Sequence, residues 1–330
     1  MTSFSRVIVF GAGALGSLIG GKLSKRLPVV LVTRGAHLAA MRERGLQLGG
    51  LSDAMLPLSD NFAVVERIEE LASGVRSGDL ILLTVKTLQV REAADSLVTH
   101  WEDAAQISVL ALQNGTGFED ALRALLSAKA DLQLGVAFSG ATLREPGIVD
   151  DWGGELLLPT GPAYETLARE WTAAGQSASA VADLEKQRWQ KIVFNCGLNV
   201  FSVILNVRNN ETVRPEWRVL RRAILREARV LAQAVGVVLP DENELLETLE
   251  ARALTSRNVN SMLQDICRGR PTEIDYLNGA VARLAKKRGE NAPANAAVAG
   301  WIRRFEQMQP DQHEALRAAA VSELLSWRDG

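Results

Sequence analysis

The sequence predicts a parallel α/β domain followed by an all-helical one. Three observations carry that reading. The chain has 330 residues, 47% of them hydrophobic, which is long for a single core and ample for two. In the first half of the chain, short β-branched runs alternate with stretches of helical periodicity, the pattern of parallel βα units. From about Asp183 the texture changes to long segments with apolar residues at three- and four-residue steps. The expected domains are residues 1–182 and 183–330.

In the first domain, strands are expected at Val7–Phe10, Val29–Thr33, Asp79–Val85 and Ser108–Leu112. Between about Leu134 and Pro159, apolar runs are broken by Pro146-Gly147 and Gly153-Gly154 and show no helical period. That reads as antiparallel strands closing the sheet. The segment Asp150-Asp151-Trp152-Gly153-Gly154 reads as a turn rather than a two-carboxylate metal site. In the second domain Leu220, Ile224, Ala228 and Leu231 mark one apolar helix face, with arginines and Glu227 opposite. Ile274, Leu277, Val281 and Leu284 mark another. Gly269-Arg270-Pro271 separates two helices, because proline disfavours helical geometry in the residue before it. The tail after Pro293 reads as amphipathic helix.

Composition narrows the partners. A net charge of −2 gives no reason to expect nucleic acid or an anionic membrane. The basic runs Arg221-Arg222 and Lys286-Lys287-Arg288 read as solvated helix faces. No stretch approaches the roughly 20 apolar residues that span a bilayer, and Arg6–Phe10 is too short for a signal-peptide core. The expectation is a cytoplasmic protein. Cys196 and Cys267 lack CxxC spacing and read as small buried hydrophobes. His37, His100 and His313 are widely scattered, so no metal site and no histidine-centred triad is expected. Acid–base chemistry then falls to Lys, Glu or Asp.

Gly11-Ala12-Gly13-Ala14-Leu15-Gly16 follows a strand directly and opens a helical pattern at Leu15, Leu18, Ile19 and Leu23. That is the context a dinucleotide fingerprint requires. The first glycine makes the tight turn, the second admits the pyrophosphate, and the third lets helix and strand pack. The first domain is therefore expected to be Rossmann-type, with Gly11, Gly13, Ala14, Leu15 and Gly16 at the phosphates. Thr33-Arg34-Gly35 stands where NAD-specific sites place Asp or Glu. Arg34 can pair with a 2′-phosphate bidentately, which favours NADPH; the alternative is an ordinary exposed charge. Val85-Lys86-Thr87 and Gln113-Asn114-Gly115 follow the next two strands, at the ends where such sheets bind ligands. Lys86 is a candidate cofactor contact, and Asn114 a cofactor or substrate contact or else a turn residue ahead of glycine.

Lys191, Asn195 and Asn199 stand at four-residue steps among Ile192, Val193, Phe194, Leu198 and Val200. Successive members rotate only about 40° around an α-helix, so they form one polar stripe. Such a stripe is costly unless it meets water or a ligand. Two readings stand level on these residues alone: a catalytic stripe, or a lysine reaching solvent with asparagines that cap backbone groups.

Together with Trp189-Gln190-Lys191, Asn195-Cys196, Ser261-Met262-Leu263-Gln264-Asp265, and Thr272-Glu273-Ile274-Asp275-Tyr276 before Asn278-Gly279, these segments resemble the ketopantoate reductase (2-dehydropantoate 2-reductase) family. The likeness runs in order over almost the whole chain, and the C-terminal motifs are more specific than the glycine loop. It implies a Rossmann-type N-terminal domain and an all-α C-terminal domain similar to that of 6-phosphogluconate dehydrogenases. It also implies Lys191 as general acid, Glu273 as a substrate-binding carboxylate, and Asn195 and Asn199 at the substrate's hydroxyl end. Ser261 is implied at the substrate carboxylate, Asn114 between nicotinamide and substrate, Lys86 near the cofactor ribose, and Arg34 at its 2′-phosphate. One departure is visible: Asn258-Val259-Asn260 precedes Ser261 where many members carry a second serine. Asp265 and Asp275 read as structural or surface groups.

The expected reaction is NADPH-dependent reduction of 2-dehydropantoate to (R)-pantoate, in pantothenate and coenzyme A synthesis. A reductase of the same architecture acting on another small 2-oxo acid is the nearest alternative. A non-catalytic NADP(H)-binding sensor would keep the glycine loop and erode the stripe, whereas Lys191, Asn195, Ser261 and Glu273 are all present. The apolar C-terminal helices either complete a homodimer or close one core.

Overall fold

The computed structural model describes residues 3–71, 74–99, 107–126 and 130–327. His100 lies outside these. The chain forms two compact units, one of residues up to Gln113 with Phe118–Leu184, the other of Asn114–Gly117 with Glu185 onward.

The first unit begins β1 (Arg6–Phe10), α1 (Ala14–Leu23), β2 (Val29–Val32), α2 (Gly35–Arg44), β3 (Leu46–Gly50), β4 (Ala54–Leu56), β5 (Phe62–Val65) and β6 (Asp79–Leu83). It continues with α3 (Val90–Thr99), β7 (Ile107–Ala111), α4 (Glu119–Leu126), β8 (Ala130–Leu134) and β9 (Val136–Ala137). It ends with β10 (Ala141–Glu145), β11 (Ile148–Asp151), β12 (Leu156–Leu158), α5 (Pro162–Ala173) and β13 (Ala178–Ala180). The main sheet is parallel throughout, in the order β5-β2-β1-β6-β7-β8. Its central strands are near-continuous apolar runs because a parallel sheet is covered on both faces. Val7 pairs with Val29 on one side and Leu80 on the other, so the strand order reverses about β1 and β6. Ligands bind at the C-terminal ends of strands at such a switch point, and there Gly11 and Val85 follow their strands.

The four expected strands are present to within two residues at their ends. The expectation for residues 134–159 is corrected. These strands do not close the main sheet. They enter two small ones, β10-β11-β3-β4 and β13-β12-β9. β11 pairs parallel with β3, some hundred residues upstream, a partner invisible to local patterning. Asp150 and Asp151 also belong to β11 rather than to a turn. Both are buried. Arg144 pairs with Asp150, and Lys22 on α1 donates to Asp151 at 2.7 Å. The Ser52 hydroxyl and Gly153 N–H complete the Asp151 carboxylate, at 2.6 and 2.8 Å. Burial pushes the Asp151 carboxyl up, but the Lys22 ammonium and these donors outweigh it and hold it below the ordinary range.

The second unit comprises α6 (Leu184–Leu205), α7 (Arg218–Ala234), α8 (Glu242–Thr255), α9 (Ser261–Cys267), α10 (Asn278–Lys287), α11 (Pro293–Gln307) and α12 (His313–Leu324). Its core joins Ile192, Val193, Val200 and Phe201 of α6 to Leu220, Ile224, Ala228 and Leu231 of α7 and to Val281, Val298 and Ile302 beyond. Gly269 in a left-handed conformation and Pro271 separate α9 from the next helical turn as expected. The tail is two helices rather than one, because Gln309-Pro310 interrupts it. Cys196 is buried and its thiol pushed up by burial, but Cys267 is exposed, contrary to expectation. Lys286, Lys287 and Arg288 are exposed, whereas Arg221 has no exposed surface. Among the described residues no helix is long and apolar enough to cross a membrane.

The buried pair gives the first test. Asp151→Asn leaves the Lys22 ammonium uncompensated and is expected to lower unfolding stability by about 3–5 kcal/mol in urea titrations. Because the wild-type carboxyl is held low, the difference should persist above its ordinary range and shrink only as pH falls toward the depressed value.

Candidate active site

The glycine loop in the first unit has the geometry of a phosphate cradle. Gly11 takes φ +95°, and a Cβ there would collide with the Val85 backbone. Its N–H and that of Ala12 both donate to the Val32 carbonyl, at 3.2 and 2.9 Å. The Thr84 hydroxyl donates to the Gly11 carbonyl at 3.0 Å. Gly13 is the N-cap of α1, with no side-chain cap and no acidic residue in the first turn. A Cβ on Gly13 would meet no atom within 4 Å, so a ligand can approach the backbone there. Among the described residues, the N–H groups of Ala14, Leu15 and Gly16 find no acceptor. Free donors and the helix dipole favour a bound anion, so these residues fit a dinucleotide pyrophosphate. Arg34 is exposed, caps α2, and lies two residues beyond β2; no carboxylate among the described residues is paired with it. Lys86 follows β6 and is half-buried.

In the helical unit, Lys191, Asn195 and Asn199 lie along one stripe of α6, the first two half-buried and Asn199 6% exposed. Among the described residues the side chains of Asn195 and Asn199 make no hydrogen bond to protein, so neither caps a backbone group. Burial strips water from the Lys191 ammonium and lowers its pKa to about 8, against the attraction of the Glu273 carboxylate.

Glu273 is 9% exposed and immediately precedes a 3₁₀ turn, Ile274–Tyr276. The Asn114 amide donates to its Oε2 at 2.9 Å. Asn114 is set in turn by its neighbours. Thr116 N–H donates to the Tyr276 carbonyl at 2.8 Å, and Gly115 takes φ +83° with a Cβ position that would collide with the same oxygen. Thr272 binds Glu306 through its N–H and hydroxyl, at 2.7 and 2.6 Å, and Asp275 pairs with Arg303 at 2.6 Å. Glu273 is thus gripped on both sides along the chain.

Two residues without a role in the sequence reading hold α6 from behind. Asn278, fully buried, donates to the Cys196 carbonyl at 3.1 Å and to Asn295 at 2.9 Å. Arg221 donates to the Gly197 carbonyl at 3.1 Å and to the Thr212 carbonyl at 2.6 Å. Anchoring adjacent mid-helix carbonyls fixes the rotation of α6 and so the direction of its stripe. Arg221 was expected in solvent. The available signal was the line Arg221, Leu225, Ala228, Ala232, a single cation within a buried helical stripe.

Ser261 opens α9 and is exposed, with no side-chain hydrogen bond to Lys191 or Glu273 among the described residues. The departure before it has a local reason. Asn260 caps α9, accepting from Leu263 N–H at 3.1 Å and donating to Asn209 at 3.0 Å. Asp265 is buried. Among the described residues no group of three His, Cys, Asp or Glu side chains is placed to hold a metal ion.

A phosphate cradle on a parallel sheet and a desolvated lysine near a buried glutamate define the class, a Rossmann-fold oxidoreductase. Residues 7–156 match the family described as ketopantoate reductase PanE/ApbA, and residues 183–306 its C-terminal domain. The chain is 31% identical over 315 residues to the 2-dehydropantoate 2-reductase of Pyrococcus horikoshii, covering 92% of this chain and 98% of that one. It is similar to the crystal structure of a PanE/ApbA family ketopantoate reductase from Ralstonia eutropha JMP134, with TM-score 0.80 and 30% identity over 94% and 99% of the two chains. It is also similar to D-mandelate dehydrogenase in a ternary structure with NADH and anilino(oxo)acetate, with TM-score 0.78 and 25% identity over 92% and 98%. The chain belongs to the ketopantoate reductase family.

The turn that sets Asn114 can be tested without any assumption about substrate. Gly115→Ala adds a methyl group where φ is positive and the Tyr276 carbonyl is in the way. It is expected to lower stability by about 1–3 kcal/mol, read as a fall in Tm. Gly13→Ala, which meets no atom, should leave unfolding stability within about 1 kcal/mol of wild type.

Proposed function

We propose that this protein reduces 2-dehydropantoate to (R)-pantoate with NADPH, serving pantothenate and coenzyme A synthesis in the cytoplasm. The observation that carries this reading is Lys191, desolvated near the Glu273 carboxylate and aligned with two asparagines. The reduced nicotinamide supplies a hydride to the ketone carbon. As it arrives, negative charge grows on the carbonyl oxygen, and Lys191 stabilises that oxygen and protonates it. A lysine with a pKa near 8 gives up its proton more readily at neutral pH than one at 10.5, and is still mostly charged before the reaction.

Glu273 accepts a hydrogen bond from the substrate's 4-hydroxyl, while Asn114 fixes the direction of its carboxylate. Asn195 and Asn199 bind the hydroxyl end and Ser261 the substrate carboxylate. An analogue without the hydroxyl leaves a buried carboxylate short of a donor, which disfavours it. Gly11, Gly13, Ala14, Leu15 and Gly16 hold the pyrophosphate, Lys86 the ribose, and Arg34 the 2′-phosphate. Arg34 favours this reading over use of NADH, the coenzyme in the D-mandelate dehydrogenase ternary structure. That likeness also motivates the alternative, reduction of a different 2-oxo acid with the same lysine chemistry.

The test is NADPH oxidation followed at 340 nm with 2-dehydropantoate and, in parallel, 2-oxoisovalerate. Preference for the hydroxylated substrate by about 100-fold or more in kcat/KM is expected. Lys191→Ala should lower kcat by about 10²–10⁴-fold. In wild type, reduction needs the charged amine and should decline as pH rises through about 8, while alcohol oxidation needs the neutral amine and should increase. Equal turnover of both acids would sink the 2-dehydropantoate assignment and favour the alternative.

A further inference from the structure

His37 is buried, 7% exposed, in the first turn of α2, and takes no part in the chemistry above. Its hydrogen bonds define its protonation. Gly147 N–H, an obligate donor, points to Nδ1 at 2.9 Å, so Nδ1 is an acceptor and the ring proton sits on Nε2. Nε2 then donates to the Ser17 hydroxyl at 3.0 Å. Ser17, with no exposed surface, passes its own proton to the Ala12 carbonyl at 3.0 Å. Burial lowers the His37 pKa, in keeping with a neutral ring at pH 7. The chain of donors runs in one direction from the β10–β11 turn, through α2 and α1, to the middle of the glycine loop.

The His37–Ser17–Ala12 part of this relay joins the two segments read as gripping the dinucleotide. Ala12 lies between Gly11 and Gly13 of the phosphate cradle, and His37 lies three residues after Arg34. The covalent span from pyrophosphate to 2′-phosphate is set by the ligand, so the protein must hold both grips at a matching separation. Backbone bonds from Gly11 and Ala12 to Val32 fix the end of β2, but α2 begins beyond it. The His37–Ser17 bond adds a directional polar tie between the first turn of α2 and α1 to the packing of Leu38 and Met41 in the same core as Leu18 and Ile19. We propose that His37 and Ser17 are positioning residues for coenzyme choice, holding Arg34 at the spacing from the glycine loop that a 2′-phosphorylated dinucleotide requires. This rests on the reading of the glycine loop and Arg34 given under Proposed function.

The experiment titrates the full-length protein with NADPH and with NADH, following the fluorescence of the reduced nicotinamide. Wild type is compared with Ser17→Ala, His37→Leu, Arg34→Ala and the Ser17→Ala/Arg34→Ala double variant. Ser17→Ala removes one oxygen and carries the test if His37→Leu does not fold. Ser17→Ala and His37→Leu are each expected to weaken NADPH about five- to tenfold, the scale of one lost buried hydrogen bond, and NADH by less than about twofold. In the Arg34→Ala background the Ser17→Ala loss should disappear, since the group being positioned is gone. Equal weakening of both coenzymes, or an undiminished loss in the double variant, would overturn the proposal and leave a purely structural contact. If Arg34→Ala itself leaves NADPH affinity unchanged, the 2′-phosphate reading fails first and this inference falls with it.

Discussion

The helical unit is organised around one unfavourable act, taking the Lys191 ammonium out of water. Desolvation costs free energy that the fold must offset nearby. Glu273 supplies the opposite charge, and its own burial is tolerable because Asn114 donates to it. Asn114 can do so because Gly115 turns in a left-handed conformation against the Tyr276 carbonyl. Asn278 and Arg221 hold α6 from behind, which keeps the lysine from rotating toward solvent. Each of these groups is itself buried or conformationally restricted. The site is therefore a property of the whole unit rather than of one helix.

The N-terminal unit treats polar groups in two opposite ways. Lys22 and Asp151 are buried as a pair, with Ser52 and Gly153 completing the carboxylate. At the other end of the same helix, the first-turn N–H groups of Ala14, Leu15 and Gly16 are left without acceptors among the described residues. The first arrangement fixes α1 internally. The second leaves its N-terminus ready for an anion. A single helix thus carries a closed electrostatic site at one end and an open one at the other.

What could be read from sequence divides along the range of the interaction. The parallel strands were legible because their apolar runs are local, and the glycine loop because its turn and helix are contiguous. The stripe of Lys191, Asn195 and Asn199 was legible because helical geometry alone aligns four-residue steps. The features misread depend on distant partners. Asp151 looks like a turn residue until Lys22, 129 positions away, is brought against it. For Arg221 the buried helical line through Leu225, Ala228 and Ala232 is local, but the Gly197 and Thr212 carbonyls that make its burial tolerable are not announced by the residues beside it. Among the strands after Leu134, β11 pairs with β3, which local alternation cannot indicate. His37 is the same case, since its partners Ser17 and Gly147 lie on different elements.

The account depends most on the charge state of Lys191, and that can be observed directly. The protein labelled with ¹³C at lysine Cε would be titrated by NMR, with the Lys191 signal assigned from its loss in Lys191→Ala. A titration midpoint near 8 is the predicted result, moving lower in Glu273→Gln, where the attraction that raises it is removed. A midpoint near the ordinary 10.5, unmoved by Glu273→Gln, would contradict both the desolvated lysine and its role as the acid.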